Sequence, residues 1–189
     1  LGIYITSSLK PATQCIKAAS KAQAILGMVK RNFKSLDKED FLQVYKTYVR
    51  PHLEYCVQVW SPQLRKDIET LERVQRRATK LVKSLRRMSY RDRLKELGLT
   101  TLEKRRTRGD LIEAYKILTD KEKINKNSFF ELNRSSYELR GHAFKLFVPR
   151  SSKAVRQNFF SVRVVGIWNG LPQHVVEAPS IGAFKSRLD

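Results

Sequence analysis

The sequence predicts a mainly α-helical protein with minor β content near its C-terminal end. Apolar residues recur every three or four positions over most of the chain up to Leu118, which is the spacing of one helix face. Helix-start signals such as Asp, Ser or Thr precede several of these segments. With 189 residues and 41% hydrophobic content, the chain is large enough for one medium domain or two small ones.

The N-terminal segment is predicted to begin with a strand and to continue as a helix. Residues 1–5 have the β-branched and aromatic content of a short strand. Pro11 suits the first turn of a helix, which we expect to run to about Asn32. The apolar side of this helix comprises Ile16, Ala19, Ala22, Ile25, Leu26 and Val29.

Prolines divide the next helical stretch. Asp37 suits the N-cap of a helix that Pro51 kinks or ends. A second apolar segment follows at residues 53–60. Ser61 and Pro62 then supply an N-cap and a proline at the first position of another helix. The apolar positions of the helix that Asp37 caps are Phe41, Leu42, Val44, Tyr45, Tyr48 and Val49.

The helix that starts at Pro62 is predicted to reach Arg87 and to separate apolar from basic residues. At 100° per residue, its apolar residues fall on one face and its cations on the other. No acidic residue follows Glu72 here, so the cations repel each other unless a ligand neutralises them. The alternative is a solvated face that keeps the protein soluble. The apolar face comprises Leu71, Val74, Ala78, Leu81, Val82 and Leu85, and the basic face comprises Arg73, Arg76, Arg77, Lys80, Lys83 and Arg87.

Two more helices are predicted before a polar loop. Ser89 with Asp92 caps a short helix that stops at Gly98. Thr100 with Glu103 forms a capping box for the next helix. A second basic cluster lies in the first two turns of that helix, where cations oppose the helix dipole. This placement favours contact with phosphate, and a solvated face is again the alternative. The cluster comprises Lys104, Arg105, Arg106 and Arg108.

The pattern changes after the polar loop, which we place at residues 119–127. Aromatic, aliphatic and basic residues alternate irregularly over residues 129–150 and predict short strands or extended segments. A helix is expected over residues 154–168, and Ser180 caps a last short helix. Aromatic and basic side chains together can stack bases and bind phosphates. Core packing is nevertheless the favoured interpretation for Phe159, Phe160, Val164 and Trp168.

The charge balance indicates a polyanionic partner. The chain has 38 Lys and Arg against 18 Asp and Glu, a formal net charge of +20 and a pI of about 10.3. This excess is beyond what solubility requires. Because the sequence lacks a membrane-spanning apolar run, a signal peptide and a lipidation motif, nucleic acid is favoured over a membrane. Two distant cysteines favour a reducing compartment and hence an intracellular location, in the nucleus or the cytoplasm.

The sequence contains no complete catalytic motif. It lacks the phosphate-binding P-loop, the zinc-binding HExxH pattern and the GxSxG elbow. Two-metal phosphoryl transfer needs clustered carboxylates, and no two aspartates are adjacent in this sequence. His52 and Cys56 could share a metal with Cys15, but packing is the favoured interpretation of these three residues. No catalytic residue, metal site or cofactor is therefore predicted for this chain.

Four segments carry a family resemblance. They read YVRPHLEYCVQVWSP at residues 48–62, LERVQRRATK at residues 71–80, LKELGLTTLEKRR at residues 94–106 and FFSVRVVGIWNGLP at residues 159–172. These motifs are long and unusual. With them the chain resembles, essentially from end to end, the C-terminal part of non-LTR retrotransposon reverse transcriptases of the LINE, jockey and chicken-repeat type.

This resemblance implies a domain organisation. Residues 1–9 resemble the end of the palm with its primer-grip strand, residues 10–60 a helical thumb bundle, residues 61–118 a basic helical region and residues 119–189 a C-terminal subdomain of mixed α and β structure. The fingers, the palm and the Ala-Asp-Asp motif of the family are missing. The resemblance therefore implies that the parent polymerase uses magnesium held upstream, and it implies no polymerase activity of this chain alone.

We expect this chain to be a nucleic-acid-binding fragment of an RNA-directed DNA polymerase. It begins with Leu1 rather than Met, and Asp189 closes an unfinished helix, so we predict a larger parent protein. The fragment would hold RNA, DNA or an RNA–DNA hybrid through phosphates, against an active site in the upstream palm and fingers. The alternative is a domesticated or orphaned remnant that acts as a basic protein-interaction or chromatin-binding helical module.

Overall fold

A computed structural model describes residues 2–133 and 141–189 of the chain. Within these ranges the protein is mainly α-helical, which confirms the predicted fold class. The β structure of the described ranges consists of isolated bridges, Leu36 with Val82 and Leu132 with Leu146. The strand predicted at residues 1–5 is not formed in its described part, because the Tyr4 N–H donates to a glutamine side chain at 3.0 Å and not to a neighbouring strand.

The chain divides into two compact units, Leu1–Arg106 and Thr107–Asp189. The division falls inside a helix, and not in the polar loop at residues 119–127 where the composition changes. The physical reason is that this helix contributes buried side chains to two separate hydrophobic cores. Leu102 in its first turn is buried in the core of the first unit, whereas Leu111 and the turns that follow belong to the core of the second.

The first unit is built from helices and short helical turns. A π-helical turn, Tyr45–Val49, and two 3-10 turns, Thr79–Leu81 and Lys83–Leu85, interrupt the α-helices. In chain order the helices are α1 (Ala12–Asn32), α2 (Lys38–Val44), α3 (Arg50–Glu54), α4 (Val57–Trp60), α5 (Arg65–Ala78), α6 (Tyr90–Glu96) and α7 (Leu102–Leu118), the last of which continues into the second unit.

Helix α1 has the predicted ends, since Pro11 is its N-cap and Asn32 its last residue. One predicted core position is wrong, because Ile16 is 56% exposed. Ile16 lies at the edge of the predicted face, about 100° round the helix from the fully buried Cys15. The buried side comprises Gln14, Cys15, Ala18, Ala19, Ala22, Leu26 and Val29.

Asp37 caps α2 as predicted, with its Oδ1 accepting from the N–H of Asp40 at 2.8 Å. The chain, however, stays helical through Pro51, and the helix ends three residues later, at Glu54. Proline has no N–H to donate and its ring crowds the preceding turn. The wider π turn lies directly before it, with the Arg50 N–H bonded to the Tyr45 carbonyl. Pro51 therefore changes the hydrogen-bonding pattern of the helix instead of ending it.

Helix α5 is shorter at both ends than predicted. It begins at Arg65 rather than at Pro62, and it ends at Ala78 rather than at Arg87. Beyond Ala78 the two 3-10 turns are separated by Val82 in an extended conformation. Burial is confirmed for Leu71, Val74, Ala78, Val82 and Leu85, whereas Leu81 is partly exposed.

The buried Arg93 side chain of α6 stabilises the end of α5. Its guanidinium group donates to the carbonyl oxygens of Arg76 at 3.3 Å and of Met88 at 2.6 Å, and its Nε donates to Thr79 Oγ1 at 2.9 Å. The last carbonyl groups of a helix have no partner within the helix, so a buried donor at this place favours termination. This contact joins residues 17 apart in the chain.

The predicted caps of the next two helices are close to those observed. Ser89 Oγ accepts from the N–H of Asp92 at 3.2 Å and caps α6. Gly98 follows the end of α6 with a φ of +58°, a conformation that glycine adopts without strain. At the start of α7, Thr101 Oγ1 accepts from the backbone N–H three residues on, at 3.2 Å. The cap is therefore one residue later than the predicted Thr100.

The second unit continues α7 with shorter elements. The helix predicted over residues 154–168 is interrupted at residues 158–159. The bridge between Leu132 and Leu146 lies within the region predicted to be extended, of which residues 134–140 lie outside the described residues. The remaining elements are a 3-10 turn, Lys126–Ser128, followed by α8 (Ala154–Gln157), α9 (Phe160–Asn169), α10 (Gln173–Val176) and α11 (Ile181–Leu188).

The core of the second unit gathers around α9. Phe160, Val164 and Trp168 are buried, as predicted. Phe159 is 50% exposed and that prediction is wrong, because this residue is the N-cap of α9 and precedes the buried face. The Ser180 cap of α11 is confirmed by a hydrogen bond at 3.1 Å. Among the described residues, no helix has both the length and the apolar character that crossing a membrane requires.

Candidate nucleic-acid interface

A basic groove lies in the first unit between the C-terminal half of α1 and the segment that follows α5. Its volume is about 510 Å³. It is lined by six cations, namely Lys30, Lys34, Arg77, Lys80, Lys83 and Arg86, and by the uncharged residues Gln23, Leu26, Gly27, Phe33, Ser35, Leu36 and Leu81. We call this surface the basic groove.

The backbone explains how cations from two distant segments reach one groove. The bridge between Leu36 and Val82 ties the segment after α1 to the segment after α5. Lys80 and Lys83 lie on either side of Val82, within the two 3-10 turns. Phe33 is extended, with φ −114° and ψ 116°, so the chain leaves α1 along the groove. The end of α5 at Ala78 is therefore what places the following lysines beside α1.

The positive charge of the groove is uncompensated. No carboxylate lines it. Within residues 2–133 and 141–189, none of its six cations forms a salt bridge with a described residue. Arg77 donates to the neutral Gln23 side chain at 3.3 Å. Because a concave surface with charge of one sign concentrates the field, this groove is suited to binding an anion.

The residues predicted for the basic helix face separate into three groups. Arg77, Lys80 and Lys83 line the groove, and Arg73 lines a smaller adjoining cavity that also contains Arg77. Arg76 is instead paired with Glu69 at 2.6 Å, and its guanidinium carbon lies 5.0 Å from the centre of the Tyr90 ring. Arg87 is exposed and lies outside the lining of the groove.

Two members of the second predicted cluster are paired with carboxylates and a third is buried. Arg105 forms a salt bridge with Glu54, with Nη2 at 3.0 Å from the carboxylate. Arg108 pairs with Asp189 at 2.6 Å and 2.8 Å. Arg106 is only 4% exposed, and this burial lowers the pKa of its guanidinium group. Of the four residues, only Lys104 is exposed. The carboxylate partners of Arg105 and Arg108 explain how these two cations are tolerated in the first two turns of α7.

Sequence reasoning missed three cations and one aromatic residue of the groove. Lys30 and Arg86 lie within predicted helices but outside the predicted basic face, and Lys34 and Phe33 lie in a connection. Lys30 lies within α1, whereas Lys34 follows the end of α1 at Asn32, so helical spacing does not relate the two residues. Their approach to Lys83 depends on tertiary contacts that the helical periodicity does not contain.

A buried polar network supports the groove from the side of α5. Gln75, which is fully buried, donates to the Thr100 carbonyl at 3.0 Å and accepts from the Tyr45 hydroxyl at 2.5 Å. Glu72 accepts from the Leu102 N–H at 3.0 Å and from the Tyr90 hydroxyl. Burial raises the pKa of Tyr90, and its hydrogen bond to the Glu72 carboxylate raises it further. The network fixes α5 against the starts of α6 and α7.

Replacing Glu72 with Ala is expected to destabilise the first unit by about 1–3 kcal/mol, because buried donors lose their acceptor. The measurement is urea unfolding followed by circular dichroism. Glu69 is the matched control, since it lies on the same helix with a 42% exposed side chain in a surface ion pair with Arg76. Glu69→Ala should cost less than about 1 kcal/mol. Equal losses in the two variants would contradict the structural role given to Glu72.

The cysteines and His52 do not form a metal site in the described residues, where no three His, Cys, Asp or Glu side chains lie close enough to hold an ion. Cys15 is fully buried, and burial raises the pKa of its thiol to about 12. The thiol therefore stays protonated near neutral pH and is a poor ligand. Cys56 is partly exposed and has a positive φ of 50°.

Comparison of the chain with models of protein families, with curated proteins and with solved structures found no match among any of them.

Proposed function

We propose that this chain binds the phosphate backbone of nucleic acid in the basic groove. The observation that carries the proposal is the convergence of six cations and no carboxylate on one groove. In this proposal the chain is the thumb and post-thumb part of a non-LTR retrotransposon reverse transcriptase. It holds RNA, DNA or an RNA–DNA hybrid in register with an active site supplied by the upstream palm and fingers.

The groove suits positioning rather than sequence reading. Lysine and arginine contacts to phosphate orient a nucleic acid but carry no base information. Each such contact releases condensed counterions, so the affinity depends steeply on salt. Among the described residues, no three His, Cys, Asp or Glu side chains lie close enough together to hold a metal ion. Any nucleotidyl transfer would take place on the palm of the parent polymerase, which the resemblance implies to use magnesium.

The salt dependence of binding tests the proposal. If the six groove cations each contact a phosphate, log K for a duplex should fall with log salt with a slope of about −5. The measurement is fluorescence anisotropy of a labelled RNA–DNA hybrid titrated with the chain between 50 and 200 mM salt. Two hybrids of unrelated sequence should give the same curve, because phosphate contacts are independent of sequence.

Two results would contradict this function. A slope near zero would show that phosphate contacts do not supply the affinity. Displacement of the hybrid by polyglutamate at equal charge concentration would instead favour the alternative, in which the basic surface binds acidic proteins. Polyglutamate carries charge without the geometry of a nucleic-acid backbone, so it should compete far less well if the groove fits phosphates.

A further inference from the structure

A second cavity lies against the N-terminal half of α1 and has a different lining from the basic groove. Its volume is about 680 Å³, which is within the usual range of ligand sites. Two aromatic rings, Tyr4 and Tyr55, line it together with Lys17, Lys21 and His52. No carboxylate is part of this lining. We call it the aromatic cavity.

The aromatic cavity and the basic groove lie on different sides of α1. Lys17 and Lys21 face the cavity and are one helical turn apart. Gly27 and Lys30 face the groove. At 100° per residue, Lys30 is about half a turn away from Lys21 around the helix axis. A ligand in the cavity therefore does not need the groove cations, and the two surfaces can be tested separately.

Both tyrosines of the cavity are exposed, and the backbone at Tyr4 is held against α1. Tyr4 is 54% and Tyr55 is 55% exposed, although large aromatic rings usually bury most of their surface. The Tyr4 N–H donates to Gln14 Oε1 at 3.0 Å, which fixes the N-terminal segment to α1. Lys17 Nζ lies 5.5 Å from the centre of the Tyr4 ring. The Tyr4 ring and a cation are thus close together before any ligand binds.

We infer that the aromatic cavity binds unpaired nucleotides of single-stranded nucleic acid, with bases stacked on Tyr4 and Tyr55 and phosphates on Lys17 and Lys21. Stacking on aromatic rings beside a basic track is how proteins hold single strands without reading sequence. Inside a duplex each base is stacked on both faces, so the interior of a duplex cannot use the tyrosines. An acidic peptide would use the lysines but would gain little from stacking.

His52 is consistent with a ligand that offers hydrogen-bonding base edges. Burial lowers the pKa of its imidazole, and the nearby Lys21 lowers it further. The ring is therefore neutral near neutral pH and presents one donor and one acceptor. A neutral imidazole adds no charge to the cavity, so the attraction for phosphate comes from the two lysines.

The test compares binding of a labelled single-stranded oligouridine and a blunt duplex of the same length, measured by fluorescence anisotropy on the whole chain. The double variant Tyr4→Leu/Tyr55→Leu should bind the single strand at least about five-fold more weakly and bind the duplex as the original chain does. Tyr48→Leu is the matched control, because Tyr48 is 58% exposed and lies outside the cavity lining.

Two further variants separate stacking from other effects. Tyr4→Phe/Tyr55→Phe keeps the rings without the hydroxyls and should retain single-strand affinity. The double variant Lys17→Gln/Lys21→Gln should bind the single strand more weakly than Lys10→Gln/Lys46→Gln does. The latter variant removes the same charge from exposed positions outside the cavity lining. Circular dichroism verifies that each variant is folded.

The inference is overturned if the leucine variant binds the single strand normally, or if it loses duplex binding in equal measure. It is also overturned if the unaltered chain does not bind the single strand. A last contrary result is an acidic peptide that displaces the single strand from the unaltered chain but not from the leucine variant, because the tyrosines would then bind the peptide. Failure of the basic groove to bind phosphate would leave these outcomes unchanged, since they depend on other residues.

Discussion

Replacing Trp168 with Ala is expected to lower the free energy of unfolding of the second unit by about 3–5 kcal/mol. Trp168 is 1% exposed. Its ring packs against the rings of Phe184 and His142, each with a centroid distance of 6.1 Å. Its Nε1 donates to the Phe144 carbonyl at 2.9 Å. The substitution removes these contacts, leaves a cavity and deprives a carbonyl group of its donor, and all three effects act in the same direction.

The loss can be measured by urea unfolding followed by far-UV circular dichroism. Because the chain has two tryptophans, Trp60 is the only one left in this variant, and its fluorescence reports the first unit alone. Ile167→Ala is the matched control, since the neighbouring Ile167 is 47% exposed and should lose less than about 1 kcal/mol. If Trp168→Ala unfolded no earlier than this control, the core assigned to the second unit would be wrong.

Features decided by contacts a few residues apart could be predicted from the sequence. Asp37, Ser89 and Ser180 each cap a helix through a backbone N–H three residues on. The side chain and the N–H of such a cap lie in the same short segment, so the pattern of residue types contains the whole interaction. Pro11 belongs to the same class, because its fixed φ suits a helix start wherever the rest of the chain lies.

The end of α5 could not be predicted in this way. Residues 79–87 continue the helical pattern of apolar and basic residues, and nothing in that segment breaks a helix. The end is stabilised by Arg93, which belongs to the next helix, and by the bridge from Val82 to Leu36. Both contacts form only after distant segments have come together, and tertiary contacts commonly override a local preference for helix.

The two predicted basic clusters differ from the observed basic groove for a similar reason. A count of charges along the chain cannot tell a cation that faces solvent from one whose partner is far away in sequence. Glu54 is 51 residues from Arg105, and Asp189 is 81 residues from Arg108. Conversely, Lys34 gains its place in the groove from the path of the chain after α1. The groove therefore contains part of the predicted set together with cations from another segment.

Neutralising the groove should remove most of the affinity for nucleic acid. We expect the variant with Lys34, Lys80, Lys83 and Arg86 all replaced by Gln to bind an RNA–DNA hybrid roughly 10³-fold more weakly at 50 mM salt. The slope of log K against log salt should become shallower by about 3.6, because each lost phosphate contact removes about 0.9. All four residues are exposed, so the melting curve should change little.

A control with the same charge decides whether the groove or the net charge is responsible. Lys10, Lys46, Lys66 and Lys95 are exposed and lie outside the groove lining. Replacing these four by Gln lowers the formal net charge of +20 by the same four units. If affinity came from the overall field, both variants would weaken binding equally and the groove would have no special role. If the groove holds the phosphates, the control should keep most of its affinity and nearly all of its salt slope, because a charge far from the bound backbone releases no counterion from it.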